Sequence, residues 1–153
     1  MAGNVYSVSI TIATVTTAKT LIQVKAGALT PLELLRAEIS QTTTETSDTG
    51  EFVIRRKTAA ATVTTATPLL YNGIDAAADA VGGTAATGTN ASVEGTDGDI
   101  LYQRGFNVLN GHTWLAVPEE RIIVPAAGMI ALISNATISS ATLVAHLVFK
   151  EFG

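Results

Sequence analysis

The one acidic cluster in this chain of 153 residues is EGTDGD, at 94–99. It sets Glu94, Asp97 and Asp99 around two glycines. Carboxylates on a tight turn can hold Ca²⁺, which takes oxygen ligands. The twelve-residue calcium loop of a helix–loop–helix site is absent, however, and Asp-Gly is also an ordinary hairpin signal. A plain turn is therefore the expectation, with Glu94, Asp97 and Asp99 as a candidate cation turn.

The other groups that could do chemistry are sparse. There are two histidines, His112 and His146, and no cysteine. A zinc site would need carboxylates to complete it, and NGHTW and VAHLV show no ligand spacing. His146 is expected to be an interior or interface imidazole. PEER (118–121) sets Glu119 and Glu120 beside Arg121, but adjacent side chains on a strand or turn point apart, which does not suit general acid–base work. GGTAATGTN (82–90) is glycine-rich but lacks the lysine and following helix of a phosphate-binding loop. No Ser-His-Asp set has a local signature. The expectation is no catalytic residue, no cofactor and no metal beyond that weak candidate turn.

Composition points the same way. Hydrophobic residues make up 47% of the chain and charged residues 14%, against a usual charged share of about 25%. So little charge implies that much of the surface is covered by other subunits rather than water. The net charge is −4 with no basic block, which argues against nucleic acid, since neutralising phosphates needs clustered Lys and Arg. Arg55, Arg56 and Lys57 alternate faces on a strand and do not form one patch. No apolar run approaches the length that spans a bilayer. The N-terminus lacks the basic start and apolar region of a signal peptide, so synthesis in a cytoplasm is expected.

The elements that would position these residues follow a period of two. VYSVSITI (5–12) puts Tyr6, Val8, Ile10 and Ile12 on one face. TLIQVKAG (20–27) and EFVIRRKT (51–58) also read as strands. PLELLRAEISQ (31–41) fits a helical stripe or a strand, and its neighbours favour a strand. TTTETSDTG (42–50) is a polar loop. From 59 to 93 the chain turns rich in Ala, Thr and Gly, which reads as a long loop or arm with one short helical turn near 75–80. Strands resume at 89–95, 99–108, 112–118, 121–125, 128–134 and 142–152. Short strands at such spacing, with Gly, Pro and Asn between them, indicate one all-β sandwich or barrel domain over 1–153.

Two of these strands pose a question. Met129–Ser134 is apolar on both faces. The last strand has Leu143, Ala145, Leu147 and Phe149 on one side, and Val144, His146, Val148 and Phe152 on the other. A sandwich strand should be polar outside. An apolar outer face needs a second sheet, a long loop or a neighbouring subunit over it. Val144, His146 and Val148 are therefore interface candidates, as is Trp114, the only tryptophan, for which core packing is the alternative. ERIIVPAAGMIALIS (120–134) reads as a hairpin of the sandwich core.

The stretch EGTDGDILYQRGFNVLNGHTWLAVPEERIIVPAAGMIALIS carries a resemblance. With RKTAAATVT, GTNASVEGTDGD, GFNVLNG and PEERIIVP in the same order, it resembles small β-rich proteins encoded among the head genes of tailed bacteriophages. These look like capsid decoration (cement, or auxiliary head) proteins, and the resemblance spans about 6–152. It implies a jelly-roll-like antiparallel sandwich and no catalytic residue. It also implies a homo-oligomer, with a trimer favoured, bound to the major capsid protein on the exterior of the virion. On this reading 1–12 and 59–93 are arms whose removal leaves a folded core. Two alternatives remain: a protein that forms a shell, tube or fibre by itself, and a ligand-binding jelly-roll module.

Overall fold

Alternating apolar residues give twelve strands among the described residues of the computed structural model, which are 3–12, 15–42, 47–72, 77–135, 138 and 141–152. In chain order they are β1 (Val5–Ile12), β2 (Lys19–Lys25), β3 (Leu32–Gln41), β4 (Thr49–Ala59), β5 (Thr62–Thr65) and β6 (Leu69–Asn72). There follow β7 (Gly88–Val93), β8 (Thr96–Asn107), β9 (His112–Leu115), β10 (Ile122–Val124), β11 (Met129–Ser134) and β12 (Leu143–Glu151). A short 3-10 turn at Pro118–Glu120 joins β9 to β10.

The strands form two antiparallel six-stranded sheets. Sheet A runs β10-β3-β12-β1-β6, with β9 beside β10 on the same edge of β3. Sheet B runs β5-β7-β2-β11-β4-β8. The chain alternates sheets from β1 to β4, stays in sheet B for β8, and returns to sheet A at β9 and β10. It then places β11 between β2 and β4, and β12 between β1 and β3. With β5–β7 set aside, this is the interleaved order of a jelly roll.

The core draws on both sheets. Tyr6, Val8 and Ile12 of β1 and Leu143, Ala145, Leu147 and Phe149 of β12 meet Ile22, Phe52, Ile54, Ile130 and Leu132 from sheet B. Full burial of each large apolar side chain contributes roughly 1.5–3 kcal/mol. The 31–41 segment is a strand, as its neighbours indicate, because Leu32, Leu34, Ala37 and Ile39 all reach this core. A one-residue shift opposite Val148/Phe149 lets both Leu34 and Ala37 face inward.

Several expectations change. ERIIVPAAGMIALIS is not a hairpin: β10 pairs with β3 in sheet A, and β11 pairs with β2 and β4 in sheet B. The Pro-Ala-Ala-Gly turn is closed by Gly128 N–H donating to the Pro125 carbonyl, with Ala127 at φ +60°. It carries the chain from one sheet to the other. Residues 5–12 are no arm, since β1 lies between β12 and β6 and supplies core residues. The 59–93 excursion is an insertion between β4 and β8, as expected, but it folds into three short strands. Of the helical turn anticipated at 75–80, residues 77–80 form no helix, and 75–76 lie outside the described residues.

The excursion is held in place by specific bonds. The Glu151 carboxylate accepts the Asp79 and Ala80 backbone N–H groups at 3.0 and 2.8 Å. The Tyr6 hydroxyl donates to the Ala77 carbonyl. Removing 59–93 would strip β7 from β2 and expose Glu151, so trimming either segment attacks the fold itself.

Candidate interaction surface

The chemistry-bearing residues sort themselves by the outer face on which they lie. On sheet B, Val53, Ala131 and Ile133 point away from the main core and still are 1%, 0% and 5% exposed. Their cover is the chain itself. β4 runs on into β5 and β8 is continued backwards by β7, so the two pairs form one long ribbon. Its register is unbroken across the bend: Ala59 pairs with Thr96 and Thr62 with Val93. The ribbon bends over the outer face of sheet B until β7 pairs with β2 on the far side of β11.

The contacts beneath the bend are polar and well matched. Gln23 is fully buried; its Oε1 accepts the Ala61 N–H at 2.9 Å and its Nε2 donates to the Ala86 carbonyl at 2.6 Å. Glu94 spans β11. Its Oε1 accepts the Thr20 N–H of β2 at 2.8 Å, and its Oε2 lies 3.3 Å from the Lys57 ammonium of β4. Lys57, whose side chain is 0% exposed, also meets Asp97 at 2.6 Å, and Arg55 meets Asp97 at 3.3 Å.

This corrects the candidate cation turn. Glu94 and Asp97 do gather positive charge, but the cations are Lys57 and Arg55. Asp99 is exposed and joins no ion pair among the described residues. Among the described residues no group of three His, Cys, Asp or Glu is arranged to hold a metal. Arg56 points the other way, as alternation requires, and donates to the Ile123 carbonyl of sheet A. Glu119 and Glu120 sit exposed on the 3-10 turn, while Arg121 faces Glu33 at 3.4 Å.

Trp114 belongs to the core. It is 8% exposed and lies with Phe52, Tyr102 and His112 where β9 of sheet A approaches β4 and β8 of sheet B. The Tyr102 and His112 rings stack at 5.8 Å, and the hydroxyl lies 3.1 Å from His112 Nε2. Burial, and then the charge of Arg104, hold the His112 pKa below 6.5. This aromatic group bridges one open side of the sandwich.

The outer face of sheet A is different. Among the described residues no hydrogen bond or ion pair ties another segment over its two central rows. Its rows follow from the strand register. One runs Leu115, Arg36, Val148, Ser7, Leu69, and the next Thr113, Glu38, His146, Ser9. Leu115 is 70% and Leu69 67% exposed. Val144 and His146 are half-buried, and Val148 is buried. Burial is the largest influence on His146 and lowers its pKa; Glu38 raises it and Arg36 lowers it.

Sequence reasoning missed Arg36 and Glu38, the two charges in the middle of this face. Their alternation with Ala37 placed them outside, but only the register sets them beside Val148 and His146. Three clefts lie around Asp79 and Val81 and are lined by small side chains such as Ala28, Ala78 and Gly82. They present no aromatic ring on which a sugar could stack.

No family model matches the chain, and no curated protein matches it in sequence.

Proposed function

We propose that this protein is a structural component of a virus particle, a capsid decoration protein that binds and stabilises the assembled head of a tailed bacteriophage. The observation that carries the reading is the outer face of sheet A, where Leu115 and Leu69 stand largely exposed at either end of a row through Val148 and no other segment is bonded over the central rows among the described residues. The sequence resemblance points to the same class. A jelly roll hosts many roles, so the fold adds only compatibility.

The mechanism is mechanical. Each copy adds buried area across the seams between capsid subunits, and many copies act together, so opening a seam also breaks their contacts. Trimers on the local threefold positions of the lattice are the arrangement that the resemblance implies. The major capsid protein is the partner, on the particle exterior.

The test is co-expression with a head-forming major capsid protein, followed by sedimentation of the assembled heads. Co-sedimentation at a fixed stoichiometry supports decoration. Heads that sediment without the chain contradict it. Light scattering and electron microscopy of the purified chain separate the alternative: tubes, fibres or closed particles formed without a partner favour a self-assembling structural protein.

A further inference from the structure

We infer that Lys57 and Asp97 condense with each other, with no added reagent, into an amide that ties β4 to β8 at the root of the ribbon. Glu94 and Arg55 are the catalytic groups. The inference goes beyond the decoration reading and does not depend on it.

The starting point is a buried amine. Lysine is almost never fully buried unless it is paired, and the Lys57 side chain is 0% exposed. Its Nζ lies 2.6 Å from Asp97 Oδ1 and 3.3 Å from Glu94 Oε2. Lys57 and Asp97 stand opposite each other in the β4–β8 pairing, and the register shifts on both sides of that pair. Such irregularities re-aim side chains and are common beside active sites. An ion pair satisfies the two charges, but it holds an ammonium out of water, which is unfavourable. An amide in its place removes both charges and keeps the contact.

The neighbours are set for the reaction. The Gly98 carbonyl accepts the Nε and Nη2 N–H groups of Arg55 at 3.3 and 2.8 Å. That fixes Nη1 at 3.3 Å from Asp97 Oδ2, the far oxygen of the carboxyl group. Glu94 is fixed by the Thr20 N–H at 2.8 Å and by the Thr20 hydroxyl. Both reactants are already in place, so a bimolecular step becomes a unimolecular one. The amine is sealed from water, while Glu94 and Asp97 still reach solvent and give the released water a way out.

The steps balance. The ammonium passes one proton to Oδ1 along the 2.6 Å contact, which sets an amine beside a carboxylic acid. The amine lone pair forms the Nζ–Cγ bond, and the negative charge goes to Oδ2, where Arg55 stabilises it. Glu94 takes a second proton from the nitrogen and returns it to the Oδ1 hydroxyl. The Cγ–Oδ1 bond breaks and one water leaves. Ammonium plus carboxylate gives amide plus water, with no oxidant or co-reactant. Oδ2 remains as the amide carbonyl and still faces Arg55.

The product is a covalent ring closed between residues 57 and 97, which holds the insertion at its base. The chain has no cysteine, so no disulfide can do this. Like a disulfide, such a ring restricts the unfolded chain.

Intact-mass spectrometry of the purified, denatured chain tests this. The expected mass is one water below that of the sequence. Digestion should yield one branched peptide in which Lys57 is joined to Asp97. Lys57→Arg keeps a cation under the ribbon but removes the nucleophile, and should show its full sequence mass. Asp97→Ala should do the same. Glu94→Gln keeps both reactants and should be found mostly unreacted. A wild-type chain at full sequence mass overturns the inference, whether or not any variant folds. A water loss that persists in Lys57→Arg also overturns it, since Asp97 would then have closed on the Gly98 nitrogen. A loss that persists in Asp97→Ala places the bond elsewhere and overturns it too. Heads that sediment without the chain would defeat the decoration reading and leave this result intact.

Discussion

The two outer faces of the sandwich begin from the same problem and end differently. Both β11 and β12 are too apolar outside to face water across their whole length. On β11, Ala131 and Ile133 are sealed by a ribbon of the same chain, with Gln23, Thr20 and Lys57 bonded to it. On β12, Val144 and His146 stay half-buried with no such ribbon bonded over them among the described residues, and Arg36 and Glu38 of β3 lie beside them. The covered face holds its ribbon through bonds within the molecule.

Substitutions can break or sharpen this comparison. The largest effect is expected under the ribbon. Replacing Glu94 and Asp97 together with Ala leaves the Lys57 ammonium buried without a partner, and should lower unfolding stability by about 3–5 kcal/mol in urea titration. A loss below 1 kcal/mol would mean that the ribbon is not held by these charges. Gln23→Ala comes next. It orphans the Ala61 N–H and the Ala86 carbonyl, and should cost roughly 2–3 kcal/mol with no change in solution mass.

On the bare face the pattern should invert. Val144→Ala and His146→Ala should each cost under about 1 kcal/mol of protomer stability, while weakening association measured by sedimentation. If either instead collapsed the fold, the outer face of β12 would be part of the core.

The smallest effect is a pH dependence at the aromatic bridge. The folded state holds His112 below its usual value of 6.5, so the folded chain binds fewer protons than the unfolded one. Stability from this group is therefore complete above 6.5 and is lost as the pH falls toward the lower folded value. His112→Phe should flatten that part of the stability–pH curve. An unchanged slope in the variant would remove His112 as its source.

Much of the fold was legible because it was local. The alternation in VYSVSITI and TLVAHLVF set the inner faces of β1 and β12 correctly. The double-sided apolarity of β11 announced that something must cover it. What could not be read was which strand lies beside which. Lys57 and Glu94 are far apart in sequence and meet only because the β4–β8 pairing is carried on by β5 and β7. The excursion looked like a loop because Ala, Thr and Gly give little periodic apolar signal, although their small size lets a ribbon lie flat over a sheet. Pro-Ala-Ala-Gly reads the same whether it closes a hairpin or carries the chain between sheets. Arg36 and Glu38 were visible as outward residues, but their places beside Val148 and His146 are a property of three strands together.

The chain has no cysteine, so a single introduced thiol reports on one place. The most direct measurement is the thiol-labelling rate of Ser9→Cys, on the bare face, beside Gln103→Cys, at an exposed position on β8. The rates are followed as protein concentration rises. Labelling at 9 should slow as the concentration rises, while labelling at 103 should not change. Equal labelling of both at every concentration would contradict it, and would mean that the bare face of sheet A stays open to water.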